Sequence, residues 1–182
     1  MASNNMFLLQ WYGPFPNRHE LKKWEDEQNE DFYLYLFQGK RKNKRSYKYY
    51  CGMTYTRKNN ISCVATRMGD TNHHIHSFEK ERPDTISIWI GQIANIKHPT
   101  QQDVRLCENM ITSEMAQIEI DDFKVENQTN KLAPTQNVYI INEWFGLDCV
   151  EYRPQSRVYI SNIIQMSFHI MHQQNRFIEP KG

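Results

Sequence analysis

Phe32-Tyr-Leu-Tyr-Leu-Phe37, then a basic polar segment, then Tyr47-Lys-Tyr-Tyr-Cys-Gly-Met-Thr54 form the stretch on which the fold turns. The first run is short, apolar and rich in aromatics, which suits a strand. The second has the same character and carries Tyr50-Cys51-Gly52. Gly39 and Asn43 supply turn residues between them, so the two runs close as an antiparallel hairpin. Lys40, Arg41, Lys42, Lys44, Arg45 and Lys48 then lie at or beside its tip.

The charge pattern sharpens this reading. The 182-residue chain carries a net charge of only +1. Yet residues 20–31 hold six acids against two lysines, and residues 32–69 hold no acid. Arg57, Lys58 and Arg67 extend the basic stretch beyond the hairpin. A local basic field attracts polyanions even when the whole protein is near neutral.

Upstream of the hairpin, residues 17–29 read as a charged helix, with Asn17 as its cap and Glu20 as the capping-box partner. Downstream, Ile61, Val64, Ala65 and Met68 recur at helical spacing; Arg67 lies at the edge of that stripe and Gly69 terminates it. A polar linker with His73, His74 and His76 follows. Ile86, Ile88 and Ile90 alternate with Ser87 and Trp89 as a third strand. Thr100 caps a second helix and Asp103 suits its first turn. On that helix Glu108 shares a face with Val104, Ile111 and Met115. A carboxylate on a core-facing stripe must be paired, hydrogen-bonded or metal-bound. A structural Arg–Glu pair, a glutamate at the margin of the stripe and a metal ligand pointing into a cleft between helix and sheet are all open readings. Val138-Tyr-Ile-Ile is a further strand, and residues 161–173 read as a helix striped by Ile163, Ile164, Phe168 and Met171.

The expected architecture is α+β, a small central antiparallel sheet with a β-hairpin, flanked by helices. Residues 31–140 form its core, 1–30 an N-terminal extension and 141–182 a C-terminal extension packed on the core. A hydrophobic fraction of 39% is ordinary for a globular chain. No run approaches the roughly 20 apolar residues needed to span a bilayer, and the N-terminus lacks the form of a secretory signal. Cys51, Cys63, Cys107 and Cys149 form no CxxC pair. They read as reduced thiols of a cytoplasmic protein, and their spacing is a weak match to a zinc site.

Taken in order, Tyr35, Tyr50-Cys51-Gly52, Arg67, Glu108 and Asn137 (in Pro134-Thr-Gln-Asn137-Val138) form a series. Over residues 31–140 this series resembles the GIY-YIG nuclease superfamily, in its restriction-endonuclease-like branch. The first motif lacks its glycine and reads Tyr33-Leu34-Tyr35, so Tyr33 stands as the alternative first tyrosine. Arg67 comes late, Met53 stands where some members have a lysine, and a long insert separates Glu108 from Asn137.

The resemblance implies a metal-dependent endonuclease acting on double-stranded DNA, in the setting of a type II restriction enzyme, with repair and mobile-element nucleases as alternatives. Glu108 would hold Mg²⁺, with Mn²⁺ as a substitute. Arg67 would hold a phosphate oxygen through its planar fork. Tyr35 or Tyr50 would take or relay the proton of the attacking water, nearby positive charge favouring the phenolate. Asn137 would support the site by hydrogen bonding. The basic turn would contact the DNA backbone, giving salt-dependent affinity without reading sequence. A palindromic target would imply a homodimer. Two rivals stand beside this reading: a catalytically silent nucleic-acid-binding module, and an α+β interaction domain whose tyrosines are core.

Overall fold

The computed structural model describes residues 5–28, 31–42, 47–55, 64–116, 123–127, 137–148 and 163–166. Its elements are β1 (Asn5–Phe15), α1 (Arg18–Glu27), β2 (Leu34–Lys40), β3 (Tyr47–Met53), α2 (Val64–Met68), α3 (Ile75–Glu81), a 3₁₀ turn (Pro83–Thr85), β4 (Ser87–Ile93), α4 (Gln101–Ala116), β5 (Phe123–Val125), β6 (Val138–Phe145) and β7 (Ile163–Met166). The strands form one sheet in the order β5-β3-β2-β4-β1-β6-β7. The run β3-β2-β4-β1 is antiparallel, whereas β5 and β6 join parallel to β3 and β1. The fold is α+β, as the sequence pattern predicts.

Side chains alternate across the hairpin strands and so divide the core into two layers. Leu34, Leu36, Tyr49 and Cys51 meet Val104, Cys107 and Ile111 of α4 on one face. Tyr35 and Phe37 meet Leu21, Val64, Met68, Ile75 and Phe78, from α1, α2 and α3, on the other. In β1, Phe7, Leu9 and Trp11 belong to the α4 layer. A register shift between Tyr12 and Phe15 then sends Phe15 into the opposite layer. An extra residue in one strand of a pair has this effect, because facing alternates with period two.

Capping follows the local sequence closely. Asn17 accepts the Glu20 N–H at 3.0 Å and starts α1. Thr100 and Asp103 cap α4 reciprocally: the Asp103 carboxylate takes the Thr100 N–H at 2.7 Å, and Thr100 Oγ1 takes the Asp103 N–H at 3.2 Å. α2 is capped from outside its own segment. The buried Glu25 carboxylate of α1 accepts the Val64 and Ala65 N–H groups at 2.7 and 3.0 Å. A carboxylate at a helix N-terminus satisfies orphan donors and opposes the positive end of the helix. That contact fixes where α2, and hence Arg67, sits against α1.

Four expectations are corrected. Residues 1–30 are not an appendage, because β1 lies inside the sheet between β4 and β6. The boundary at residue 140 falls within β6, which pairs with β1 over eight positions. The His-rich linker contains α3, which buries Ile75 and Phe78. Residues 163–166 form strand β7 rather than part of a helix, because β6 offers them an edge to pair with. No described helix is long and apolar enough to cross a membrane.

Candidate active site

Hairpin register sets the geometry of the site. Tyr35 lies opposite Gly52, and Tyr50 opposite Phe37. The two tyrosines are therefore diagonal neighbours on one face, with ring centroids 6.2 Å apart and planes inclined by 23°. Gly52 makes this possible: a Cβ there would lie 2.5 Å from Cε2, Cζ and Oη of Tyr35. Tyr33 precedes β2 and does not share this face. It stacks on Tyr55 at 5.8 Å and packs on the α4 layer, so Tyr35 is the tyrosine that accompanies Tyr50.

Tyr35, Tyr50 and Arg67 line one open cleft of about 660 Å³, whose far wall is the loop 69–74 that joins α2 to α3. Arg67 stands at the C-terminal end of α2, half exposed, in an ion pair with Asp70 on the same rim. His73 closes the floor. Its Nε2 is 3.0 Å from the Tyr35 hydroxyl, while its Nδ1 accepts the Ile75 N–H at 3.3 Å. Burial, reinforced by the Arg67 charge, pushes the His73 pKa down to about 4, so the ring is neutral. With Nδ1 engaged as an acceptor, the remaining ring proton sits on Nε2 and is donated to the Tyr35 oxygen. The Tyr35 hydroxyl proton is then directed away from His73. His74 stacks on the open face of Tyr50, with centroids 4.3 Å apart.

Both phenols are protonated at neutral pH. Burial raises the Tyr50 pKa to about 12, with a further rise from Glu108; Arg67 and the Tyr35 hydroxyl offset this only in part. Burial drives Tyr35 higher still, helped by Tyr50 and opposed by Arg67. The expectation that positive charge favours a resting phenolate is therefore corrected: desolvation outweighs the guanidinium.

Glu108 does not line the cleft. It lies on the buried face of α4, 6% exposed, and its charge acts on Tyr50, Tyr35 and Cys51. Thr112, one turn further along α4, adjoins Cys51. The carboxylate is thus in the electrostatic neighbourhood of both tyrosines, approached from the α4 layer. Among the described residues, no three His, Cys, Asp or Glu side chains converge to hold a metal ion. A single carboxylate suits Mg²⁺ only where waters and phosphate oxygens can complete its shell, and Glu108, buried and outside the cleft lining, does not offer that position as it stands.

Asn137 is not brought to this site. It opens β6, where its carbonyl accepts the Asn5 N–H at 3.2 Å. Three strands (β2, β4 and β1) separate β6 from β3. The asparagine that reaches β3 is Asn127. Its side chain accepts the Cys51 N–H at 3.0 Å and donates to the Cys51 carbonyl at 2.6 Å. It thereby extends the β3–β5 ladder by one more pair and holds the backbone between Tyr50 and Gly52.

The basic hairpin divides in the same way. Lys40, Arg41 and Lys42 are partly or fully exposed, and Lys40 reaches over the Tyr47 ring at 5.6 Å. Lys44 and Arg45 lie outside the described residues, as do Arg57 and Lys58. Lys48 points inward instead. Its side chain is 2% exposed, pairs with Glu81 at 2.8 Å and lies over Phe78. It cannot touch DNA in this conformation and is removed from the predicted contact set. Parity along the strand carried the signal, since Lys48 and Tyr50 face the same layer. Among the cysteines, Cys51 and Cys107 are free and buried. Comparison of the chain with known protein families, curated proteins and solved structures finds no match.

Proposed function

We propose that this chain is a metal-dependent endonuclease that hydrolyses phosphodiester bonds of double-stranded DNA, in the manner of a type II restriction enzyme. One observation carries the reading: Tyr35, Tyr50 and Arg67 line a single cleft. A polar cleft holding a phosphate-binding cation beside titratable groups with displaced pKa values suits hydrolysis of an anionic ester.

In this reading Arg67 holds a non-bridging phosphate oxygen. Tyr50 is the better water-activating group of the two tyrosines, because its pKa is the less elevated and it shares the cleft lining with Arg67. The water oxygen bonds to phosphorus and the bond to the leaving oxygen breaks. The water proton passes to the Tyr50 oxygen as the Tyr50 proton passes to solvent, and the leaving oxygen collects a proton in turn. His73 and Tyr35 act behind Tyr50 by fixing the direction of the hydroxyls. Mg²⁺ or Mn²⁺ would supply Lewis-acid stabilisation of charge on the phosphate and the leaving oxygen; Glu108, the carboxylate that the resemblance assigns to the ion, is buried on α4 outside the cleft lining, so no step is routed through it. Lys40, Arg41 and Lys42 would lie against the DNA backbone about 17 Å from Tyr35 along β2, at the usual rise of about 3.3 Å per residue.

The test is incubation of supercoiled plasmid with the protein and Mg²⁺, beside Tyr50→Phe, Glu108→Gln and an EDTA control. Cleavage by wild type that EDTA abolishes, with losses of about 100-fold or more in both variants, supports the proposal. Cleavage by Glu108→Gln at the wild-type rate would remove Glu108 from the site. Salt-sensitive DNA binding without cleavage across varied substrates would replace the nuclease with a nucleic-acid-binding module.

A further inference from the structure

The guanidinium that faces the cleft is already engaged. Arg67 pairs with Asp70, and both side chains are about half exposed, at 52% and 56%. The contact is local, spanning three residues across the turn that ends α2. Asp70 is held there by its own backbone. Its N–H reaches the Arg67 carbonyl at 3.3 Å, and its carbonyl accepts the His73 N–H at 2.9 Å and lies 2.9 Å from His76 Nε2. The backbone is fixed by three contacts, so the carboxylate stays beside Arg67 on the cleft wall.

We infer that Asp70 is a built-in competitor for the phosphate that Arg67 would bind, weakening every phosphate ligand there by a common factor, so that only one with further contacts to the hairpin cations stays bound at low concentration. This rests on the nuclease reading of the cleft. A carboxylate and a phosphate oxygen seek the same planar fork of donors. An exposed ion pair is weak, so a ligand that brings several backbone phosphates to Arg67 and to the hairpin cations displaces Asp70 at small cost. A mononucleotide or free phosphate makes the Arg67 contact alone and has little to offset the displacement. Asp70 acts through Arg67, so it sets how tightly the cleft holds phosphate and is not a catalytic residue.

The experiment measures binding of a short labelled DNA duplex, and of inorganic phosphate as competitor, in EDTA so that no cleavage intervenes. The proteins are wild type, Asp70→Asn, Arg67→Ala, the double variant and Asp84→Asn. Asp84 is an exposed acid paired with Arg82, so its substitution controls for the loss of one negative charge. Asp70→Asn should tighten duplex binding about two- to fivefold and strengthen binding of inorganic phosphate by a similar factor. The gain should vanish in the double variant and be absent in Asp84→Asn. If Arg67→Ala weakens binding but Asp70→Asn does not tighten it, the competitor role is wrong and the cleft reading stands. An equal gain from Asp84→Asn also overturns the role. If Arg67→Ala binds DNA as wild type does, the cleft reading itself fails.

Discussion

The Tyr35 ring lies across Gly52, its partner on the neighbouring strand, and fills the space that a side chain at position 52 would need. The Tyr-x-Gly pattern of β3 is therefore a packing requirement of β2. Gly52→Ala would bring a methyl group to 2.5 Å from three atoms of the Tyr35 phenol. The ring must move, which breaks its contact with His73 and its alignment with Tyr50. Such overpacking costs about 1–3 kcal/mol. A urea denaturation midpoint lowered by that amount, with cleavage lost in protein that remains folded, is the expected outcome. Wild-type activity in Gly52→Ala would show that the position of Tyr35 is immaterial.

His73 predicts a pH dependence of stability. Its folded pKa of about 4 lies below the ordinary 6.5. The unfolded chain therefore binds this proton at higher pH than the native state does. Its contribution is complete above about pH 6.5 and is lost as pH falls toward 4. The size is on the order of 2 kcal/mol, discounted because the ring lines an open cleft. Urea midpoints measured from pH 7.5 down to about 4 should fall for wild type, with a shallower slope for His73→Gln. Parallel slopes would mean that another group carries the acid sensitivity.

What could be read in the sequence was what local chemistry decides. The hairpin, the Asn17 cap, the Thr100–Asp103 cap and the burial of Glu108 all follow from residues a few positions apart. β1 shows the opposite case. Phe7, Leu9 and Trp11 alternate, but only long-range pairing with β4 and β6 makes them an inner strand. Ile163 and Ile164 fit a short strand or a helical stripe, and the edge of β6 decides between them. No pattern singles out His73 among three neighbouring histidines, because the turn that aims it at Tyr35 depends on hydrogen bonds within the 70–76 loop.

Lys48 separates structural charge from binding charge. Its side chain is buried against Phe78 and paired with Glu81, which also accepts the Lys42 N–H at 3.1 Å. Lys48→Met should be close to neutral in stability, because a buried pair often tolerates apolar replacement of similar volume. It should also leave DNA affinity unchanged, whereas Lys40→Ala and Arg41→Ala weaken it. Glu81→Gln leaves the lysine without its counter-ion and should cost about 1–3 kcal/mol, reduced from a fully buried value because Glu81 is 34% exposed. The hydrogen bond from Lys48 holds the Glu81 pKa below its ordinary 4.5. That contribution is present above pH 4.5 and fades as pH drops through the lower folded value. Thermal melts and duplex titrations of these variants check both halves; a loss of DNA affinity in folded Lys48→Met would return this residue to the contact set.

Asn127 and Asn137 give opposite predictions from one residue type. The buried Asn127 amide makes two hydrogen bonds with the Cys51 backbone, at the point where β5 stops pairing and β3 would otherwise present an unpaired edge. Asn127→Ala leaves a buried N–H and C=O without those partners, at a cost of about 2–4 kcal/mol. It also frees the backbone that sets Tyr50 against Tyr35. Cleavage measured well below the melting temperature should therefore fall more than the folded fraction does. Asn137→Ala keeps the backbone carbonyl that binds Asn5 and lies at the far side of β1 from the hairpin, so cleavage per folded molecule should stay within about twofold of wild type. The two variants are to be compared at matched folded fraction, by circular dichroism before each plasmid assay. Loss of cleavage in folded Asn137→Ala, with activity retained in Asn127→Ala, would reverse the assignment and place the functional asparagine on β6.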